Sequence, residues 1–372
     1  MEAFASLGVT LEMSTLRLVL PVGISFYTFQ ALSYTIDVYK QKIQPTKDVV
    51  AFVAFISFFP QLVAGPIERA TNLLPQFLKQ RKFDYSKAVD GMKQILWGLF
   101  KKMVIADNCA DFVNMVWSNY SEHNSYILVL AAVLFAFQIY GDFSGYSDIA
   151  IGSARLFGIN LMRNFNYPYF SHNVSEFWKR WHISLNTWFV DYIYIPLGGS
   201  RRGQLIKLRN TFAIFLLSGL WHGANWTFVL WGLYHSLLFI PLMVLGKAKS
   251  YSKQVSKSRL LPTFGELVSI MVTFCLVVVG WIIFRSDNIH QFFDYMNCMV
   301  SHYQQIDSIG IPKYTLAFIF VLLAVEWINR NKQYGLQFQL PSRWMRWSIY
   351  ILLALIILTQ AGNQAEFIYF QF

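Results

Sequence analysis

Asn210 to Gly246, NTFAIFLLSGLWHGANWTFVLWGLYHSLLFIPLMVLG, runs for 37 residues without an Asp, Glu, Lys or Arg. The hydrocarbon core of a bilayer is about 30 Å thick, and a helix needs roughly 20 apolar residues to cross it. Arg209 and Lys247 bracket the stretch, and basic residues mark the cytoplasmic side. The segment therefore enters the membrane and returns. Two full crossings need about 40 helical residues plus a turn, so the count predicts a shallow, re-entrant hairpin. Its turn is expected at Trp221-His222-Gly223-Ala224-Asn225, where Gly223 relaxes the backbone. His222 then stands about 20 Å along the first arm at 1.5 Å per residue. An imidazole and broken backbone at that depth are tolerated only where protein or a water-filled cavity receives them. A cavity is expected beside His222.

Further charge-free stretches lie at 18–36, 49–67, 123–141, 267–284 and 347–365, with a shorter one at 314–325 that ends at Glu326. Residues 94–110 are interrupted by Lys101 and Lys102, and Pro60 with Gly65-Pro66 makes 49–67 a poor straight helix. The loops sort by sign. Residues 79–93, 201–209, 247–259 and 330–346 are rich in Lys and Arg and go inside; 111–122 and 286–312 are acidic and go outside, as does the tail after 365. Composition agrees: 55% of residues are hydrophobic and 14% charged, against about 25% charged in soluble domains, and mean hydropathy is +0.39. That excludes a soluble enzyme, a disordered chain and a nucleic-acid-binding domain despite the net charge of +11. The excess Lys and Arg instead holds helices in the lipid bilayer. Cys109, Cys275 and Cys298 form no metal spacing and no even disulfide set. The predicted fold is all-α, a polytopic integral membrane protein with 1–372 as a single membrane domain.

Two more runs set polar groups in apolar surroundings. One is Gly141 to Asp148, GDFSGYSD, directly after the span 123–141; the other is Glu176 to Trp188, EFWKRWHISLNTW. Ionisable groups inside a membrane are costly unless paired, so each is a functional candidate. For Asp142 and Asp148 the plain alternative is helix capping or pairing with Arg155 or Arg163, since two carboxylates six apart do not share a helix face. For Lys179 and Arg180 it is topogenesis or anionic head groups, and for His182 a hydrogen-bonded core histidine. His222 has the stronger case, because its stretch offers no carboxylate. Tyr192–Pro196 and Gly198-Gly199-Ser200 read as a short extended loop. The chain has no nucleophile elbow, nucleotide fingerprint or metal-ligand spacing. Two histidines near a cavity remain. A neutral imidazole can take a proton from an attacking hydroxyl or thiol, or polarise a carbonyl, and excluding water protects an acyl group from hydrolysis.

The runs Phe177–Trp188 (FWKRWHISLNTW), Asp191–Gly199 (DYIYIPLGG), Ser218–Gly232 (SGLWHGANWTFVLWG), Gly141–Gly152 (GDFSGYSDIAIG) and Phe58–Pro66 (FFPQLVAGP) resemble the membrane-bound O-acyltransferase family. The nearest likeness is to its bacterial alginate O-acetylation branch, from about Pro21 to Phe372. The resemblance implies a helical ring around an acyl-transfer tunnel. It makes His222 the catalytic histidine and His182 its partner, a position filled by Asn in eukaryotic relatives. It also implies more spans before Leu20 than this chain carries, so the chain is expected to be N-terminally short for the family.

From this follows an expected activity: transfer of an acetyl group from cytoplasmic acetyl-CoA, with no bound cofactor or metal, for O-acetylation of an exported polysaccharide such as alginate or peptidoglycan. A periplasmic SGNH or esterase-like O-acetyltransferase would be the partner, and the bacterial inner membrane the location. Lys179 and Arg180 are expected to hold the phosphates of coenzyme A. Two other readings stand beside it: D-alanyl transfer to teichoic acid, and a secondary transporter using the broken helix. The tail Glu366–Phe372 reads either as an aromatic belt on the outer face or as a free tail reaching a tunnel mouth, with the Tyr369 phenol accepting the acyl group as a transient ester.

Overall fold

A computed structural model of the chain describes residues 23–245, 260–303, 309–338 and 341–368, and among these every regular element is a helix. Helices α1 (Ile24–Tyr39), α2 (Val49–Ile56), α3 (Phe59–Leu62) and α4 (Ala70–Leu78) lead into α5 (Tyr85–Leu99). A π-helical segment (Phe100–Ala106) joins α5 to α6 (Asp107–Ser118), and α7 (Ser125–Leu156) follows. Then come α8 (Val174–Arg180), α9 (Ile183–Phe189), α10 (Gln204–His222), α11 (Trp226–Val244), α12 (Phe264–Arg285), α13 (Ile289–Ser301), α14 (Lys313–Ile328) and α15 (Arg343–Gln360). By length and composition α7, α11 and α12 can each cross a membrane. The Pro60 and Gly65-Pro66 breaks act as expected: 49–67 is the short pair α2 and α3, not one span.

Helix α7 is the mast of the fold. Its 32 residues extend about 48 Å, and most are buried. Helix α5 packs antiparallel against it at backbone contact. Gly91 meets Gly152, and Gly98 meets Gly145; a Cβ on Gly98 would stand 2.6 Å from the Gly145 carbonyl oxygen. Small residues permit this approach where lipid offers helices no hydrophobic drive to associate.

The ends of the bundle follow the charge pattern. Arg155 at the end of α7 pairs with Asp90 and donates to Gln333 at 2.6 Å, while Trp327 donates to the Leu260 carbonyl. These join the basic loops at one end. At the other, Arg285 donates to Asn114 at 2.6 Å and the Ser125 amide to the His302 carbonyl, which joins the acidic loops.

Several sequence expectations need correction. The hairpin and its turn stand where expected, but its arms are 19 residues each, about 28 Å, which is close to full membrane depth. Its turn touches the acidic end, with Asn225 Nδ2 donating to the Asp287 carbonyl at 2.7 Å. Counting only uncharged residues undersized it, because α10 begins at Gln204 and includes Lys207 and Arg209. The GDFSGYSD run does not follow a span; it lies inside α7. Asp142 and Asp148 pair with Lys102 (2.8 Å) and Lys101 (2.6 Å), not with Arg155 or Arg163. The lysines that seemed to interrupt 94–110 are thus neutralised from α7, and the helix runs through. Residues 190–194 form a π-helical turn, not an extended loop, tethered by Tyr192 to Asp37 at 2.7 Å. The last helix stops at Gln360, and residues 361–368 turn back: the Ile368 amide donates to Asp142 at 2.7 Å and Ile368 is 1% exposed. Up to Ile368 the tail is not an outer belt. Tyr369 lies outside the described residues.

Candidate active site

The EFWKRWHISLNTW run folds as two short helices, α8 and α9, broken at Trp181-His182. Asn186 Nδ2 clamps the bend by donating to the carbonyls of Trp178 and Trp181, both at 2.6 Å. His182 sits at the joint with φ 44 and ψ 53, the left-handed region, which costs an L-residue about 1–2 kcal/mol. Two backbone bonds hold it there, Asn166 N to Arg180 O at 2.9 Å and Ile183 N to Asn164 O at 2.8 Å. Strain retained at such cost clusters at functional sites. His182→Asn should keep the fold, since Asn tolerates this conformation, whereas His182→Val should lower stability by about 1–2 kcal/mol. Thermal midpoints of the two variants in detergent check this, and equal midpoints would refute it.

Asn164 decides how His182 presents itself. Its Oδ1 accepts from Ser184 Oγ (2.9 Å) and Ser184 N (3.4 Å) and lies 3.1 Å from His182 Nδ1. Because those Ser184 donors orient the amide oxygen, His182 Nδ1 carries the proton and Nε2 keeps its lone pair. Nε2 is buried without a hydrogen-bond partner among the described residues. It lines a cavity of about 100 Å³ shared with His222, Ser218, Asn186 and Ile368. Aromatic rings wall the site: His222 packs against Trp221 at 4.7 Å, Phe284 at 4.9 Å and Trp231 at 5.4 Å.

Two other spaces flank this cavity. On the side of the basic loops a groove of about 390 Å³ is lined by Lys179, Lys207, the Asp191 carboxylate and mainly apolar residues of α8 to α11, and it shares Trp178 and Asn186 with the histidine cavity. On the acidic side a recess of about 590 Å³ lies among Gly223, Asn225, Asn114, Arg285 and Asp287. Phe228 and Phe284, 5.0 Å apart, separate that recess from His222. Groove, cavity and recess form a series from one end of the bundle to the other.

The family model described as MBOAT, membrane-bound O-acyltransferase family, matches residues 45–283. The chain belongs to the membrane-bound O-acyltransferase family. It is 39% identical over 334 residues to the probable alginate O-acetylase AlgI of Pseudomonas syringae pv. tomato, covering 86% of this chain and 61% of that protein. It is 36% identical over 312 residues to the peptidoglycan O-acetyltransferase of Helicobacter pylori, covering 77% and 58%. It is 28% identical over 280 residues to the teichoic acid D-alanyltransferase of Bacillus subtilis, covering 72% and 69%. The chain thus spans about three fifths of the length of the first of these relatives.

As a member of this family the chain is a membrane protein, and the family-like runs converge on one place. Ser184 of the first histidine run accepts from the Ile67 amide just after FFPQLVAGP at 2.9 Å, and Phe143 of GDFSGYSD packs edge-on against His182 at 4.6 Å. The expected Lys179-Arg180 pair is split. Arg180 is taken by Glu176 at 2.6 Å and the Asn166 carbonyl; only Lys179 faces the groove. Sequence reasoning missed Asn164, which carries no motif signal, and Lys207, which looked purely topogenic. His235, expected to be packed in its helix, is buried and accepts from Trp178 Nε1 at 3.4 Å.

Proposed function

We propose that this chain moves an acetyl group from the thioester of cytoplasmic acetyl-CoA to an acceptor hydroxyl on the far side of the bacterial inner membrane, serving O-acetylation of an exported polysaccharide. The observation that carries this reading is the placing of His182 and His222 on one aromatic-walled cavity between a mainly apolar groove that bears Lys179 and Lys207 beside Asp191 and an opposite polar recess. The names of the relatives support the class of reaction: two act as O-acetylating enzymes by name.

The chemistry needs little else. The donor's phosphates sit at Lys179 and Lys207 and its thioester reaches inward past Trp178. The acceptor oxygen bonds to the carbonyl carbon as His222 takes the hydroxyl proton; the C–S bond breaks and the thiolate receives that proton. His182, held by Asn164 with its Nε2 lone pair facing the cavity, accepts a hydrogen bond from the acceptor or from the protonated His222. The ring wall keeps water from the acyl group. Tyr369 is proposed as the phenol that carries the acyl group briefly as an ester, and a periplasmic esterase-like protein as the partner that relieves it.

Purified protein given labelled acetyl-CoA, with and without polysaccharide and partner, tests this. Label should pass to the polymer and, when the partner is withheld, collect on Tyr369. Transfer from a D-alanyl carrier thioester but not from acetyl-CoA would favour the teichoic-acid reading instead. Lys179→Glu with Lys207→Glu should raise the KM for acetyl-CoA about tenfold or more, since two charge-assisted phosphate contacts are lost; an unchanged KM would remove the donor from this groove.

A further inference from the structure

Residues 361–368 are held by more than apolar packing. Gln360 O accepts from Asn108 Nδ2 at 2.8 Å, Gly362 N donates to Met103 O at 3.0 Å, Asn363 Nδ2 donates to Asp111 at 3.1 Å, and Ala365 O accepts from Lys102 Nζ at 3.3 Å. The last contact is the Ile368 amide on Asp142 Oδ2 at 2.7 Å. Lys102 in turn bridges Asp107 and Asp142, each at 2.8 Å. All three ionised groups are mostly or fully buried. Taking such charges out of water is unfavourable, and replacing them with apolar side chains is often neutral or stabilising. A segment that needed only an apolar seat would not require them. What the cluster supplies is registry, the best-attested use of a buried ionic group: it fixes which residue of the segment reaches the cavity. That residue is Ile368, on the wall beside His182 and His222.

We infer that Lys102, Asp107 and Asp142 form a clasp that seats residues 361–368 against the core and so sets the wall of the histidine cavity; these are positioning residues for acyl transfer. The inference rests on the reading of that cavity as the place of transfer. It gives the GDFSGYSD run a task the chemistry leaves open, since Asp142 contacts the segment and not the histidines. Gly362 belongs to the same device, because a Cβ there would stand 2.6 Å from Asn108 N and 2.7 Å from Asp107 C, so only glycine lets the segment lie this close.

Hydrogen exchange and steady-state transfer in the 372-residue chain, in detergent, test the clasp with three variants. Asp142→Leu removes the acceptor of the Ile368 amide; Gly362→Val pushes the segment off while leaving every charge in place, and it carries the test if Asp142→Leu fails to fold. Both should speed exchange in 361–368 at least about tenfold with protection in α7 and α10 kept. Both should also lower kcat at least about tenfold, within the hundredfold that a displacement of about 1 Å can cause. The KM for donor should stay within about twofold, because the groove shares no residue with the segment. Asp142→Asn, which retains an acceptor oxygen, should restore part of both. A released segment with unchanged kcat overturns the inference, and so does a segment that stays protected. Failure of the functional reading would show separately, as transfer that survives His222→Ala while the exchange results stand.

Discussion

His222→Ala is expected to lower acyl transfer at least about a hundredfold, the low end of what a general base contributes, while the protein still inserts and purifies. The fold should tolerate the change because the turn after His222 is set by other groups. Asn225 caps α11 by accepting from the Thr227 amide at 3.1 Å and donates to Asp287 at 2.7 Å. The lost ring faces a cavity that is already open, so truncation enlarges a space and leaves no new void in a sealed core. The loss should fall on kcat and kcat/KM alike, the signature of an interaction made in the transition state. Near-normal acetylation by a well-expressed His222→Ala protein would reject the proposed mechanism.

Lys101→Met should act on stability, by about 3–5 kcal/mol, the usual effect of removing one partner from a buried ion pair. Lys101 is 3% exposed; its Nζ pairs with Asp148 at 2.6 Å and donates to Ser144 at 2.9 Å. Glu326, also buried, lines one small pocket with Lys101 and Asp148, and the Tyr140 hydroxyl donates to its carboxylate at 2.8 Å. Without the ammonium, the two carboxylates lose their closest positive charge and keep the neutral donors Gln94 and Tyr140 beside the Arg163 guanidinium that lines the same pocket. Thermal unfolding in detergent reads the effect, and the double variant Lys101→Met, Asp148→Asn should recover part of it, because the pair acts as a unit. An unchanged midpoint in the single variant would show that the charges are solvated in a way the burial does not suggest.

Much of the site was legible before the fold. Absence of charge over Asn210–Gly246, with basic residues on both sides, was enough to require a hairpin, and Gly223 with Asn225 marked its turn. That signal is strong because lipid leaves the backbone few alternatives. Its depth was less legible, because Lys207 and Arg209 belong to the helix although they end the uncharged run. Partners of Asp142 and Asp148 could not be found along the chain. They come from a helix some 40 residues earlier, and the π-helical segment between Phe100 and Ala106 turns two neighbouring lysines toward two different carboxylates. Arg180 carried a misleading signal: beside Lys179 it looked like half of an anion site, yet Glu176 one turn back claims it.

What the sequence by itself determined is the class of protein and the chemistry available to it: a helical membrane protein, the sorting of its basic and acidic loops to opposite ends, and an imidazole at a broken backbone. These follow from local quantities, namely hydropathy, charge and turn residues, which act over one helix length. Only the tertiary structure decided which groups meet. Asn164 sets the proton on His182, Trp178 and Asn186 join groove to cavity, and the segment after Gln360 folds back onto Asp142. Each of these depends on helices far apart in the chain arriving in one register, and in an apolar solvent that register is chosen by backbone-close packing and buried polar pairs, which no single stretch contains.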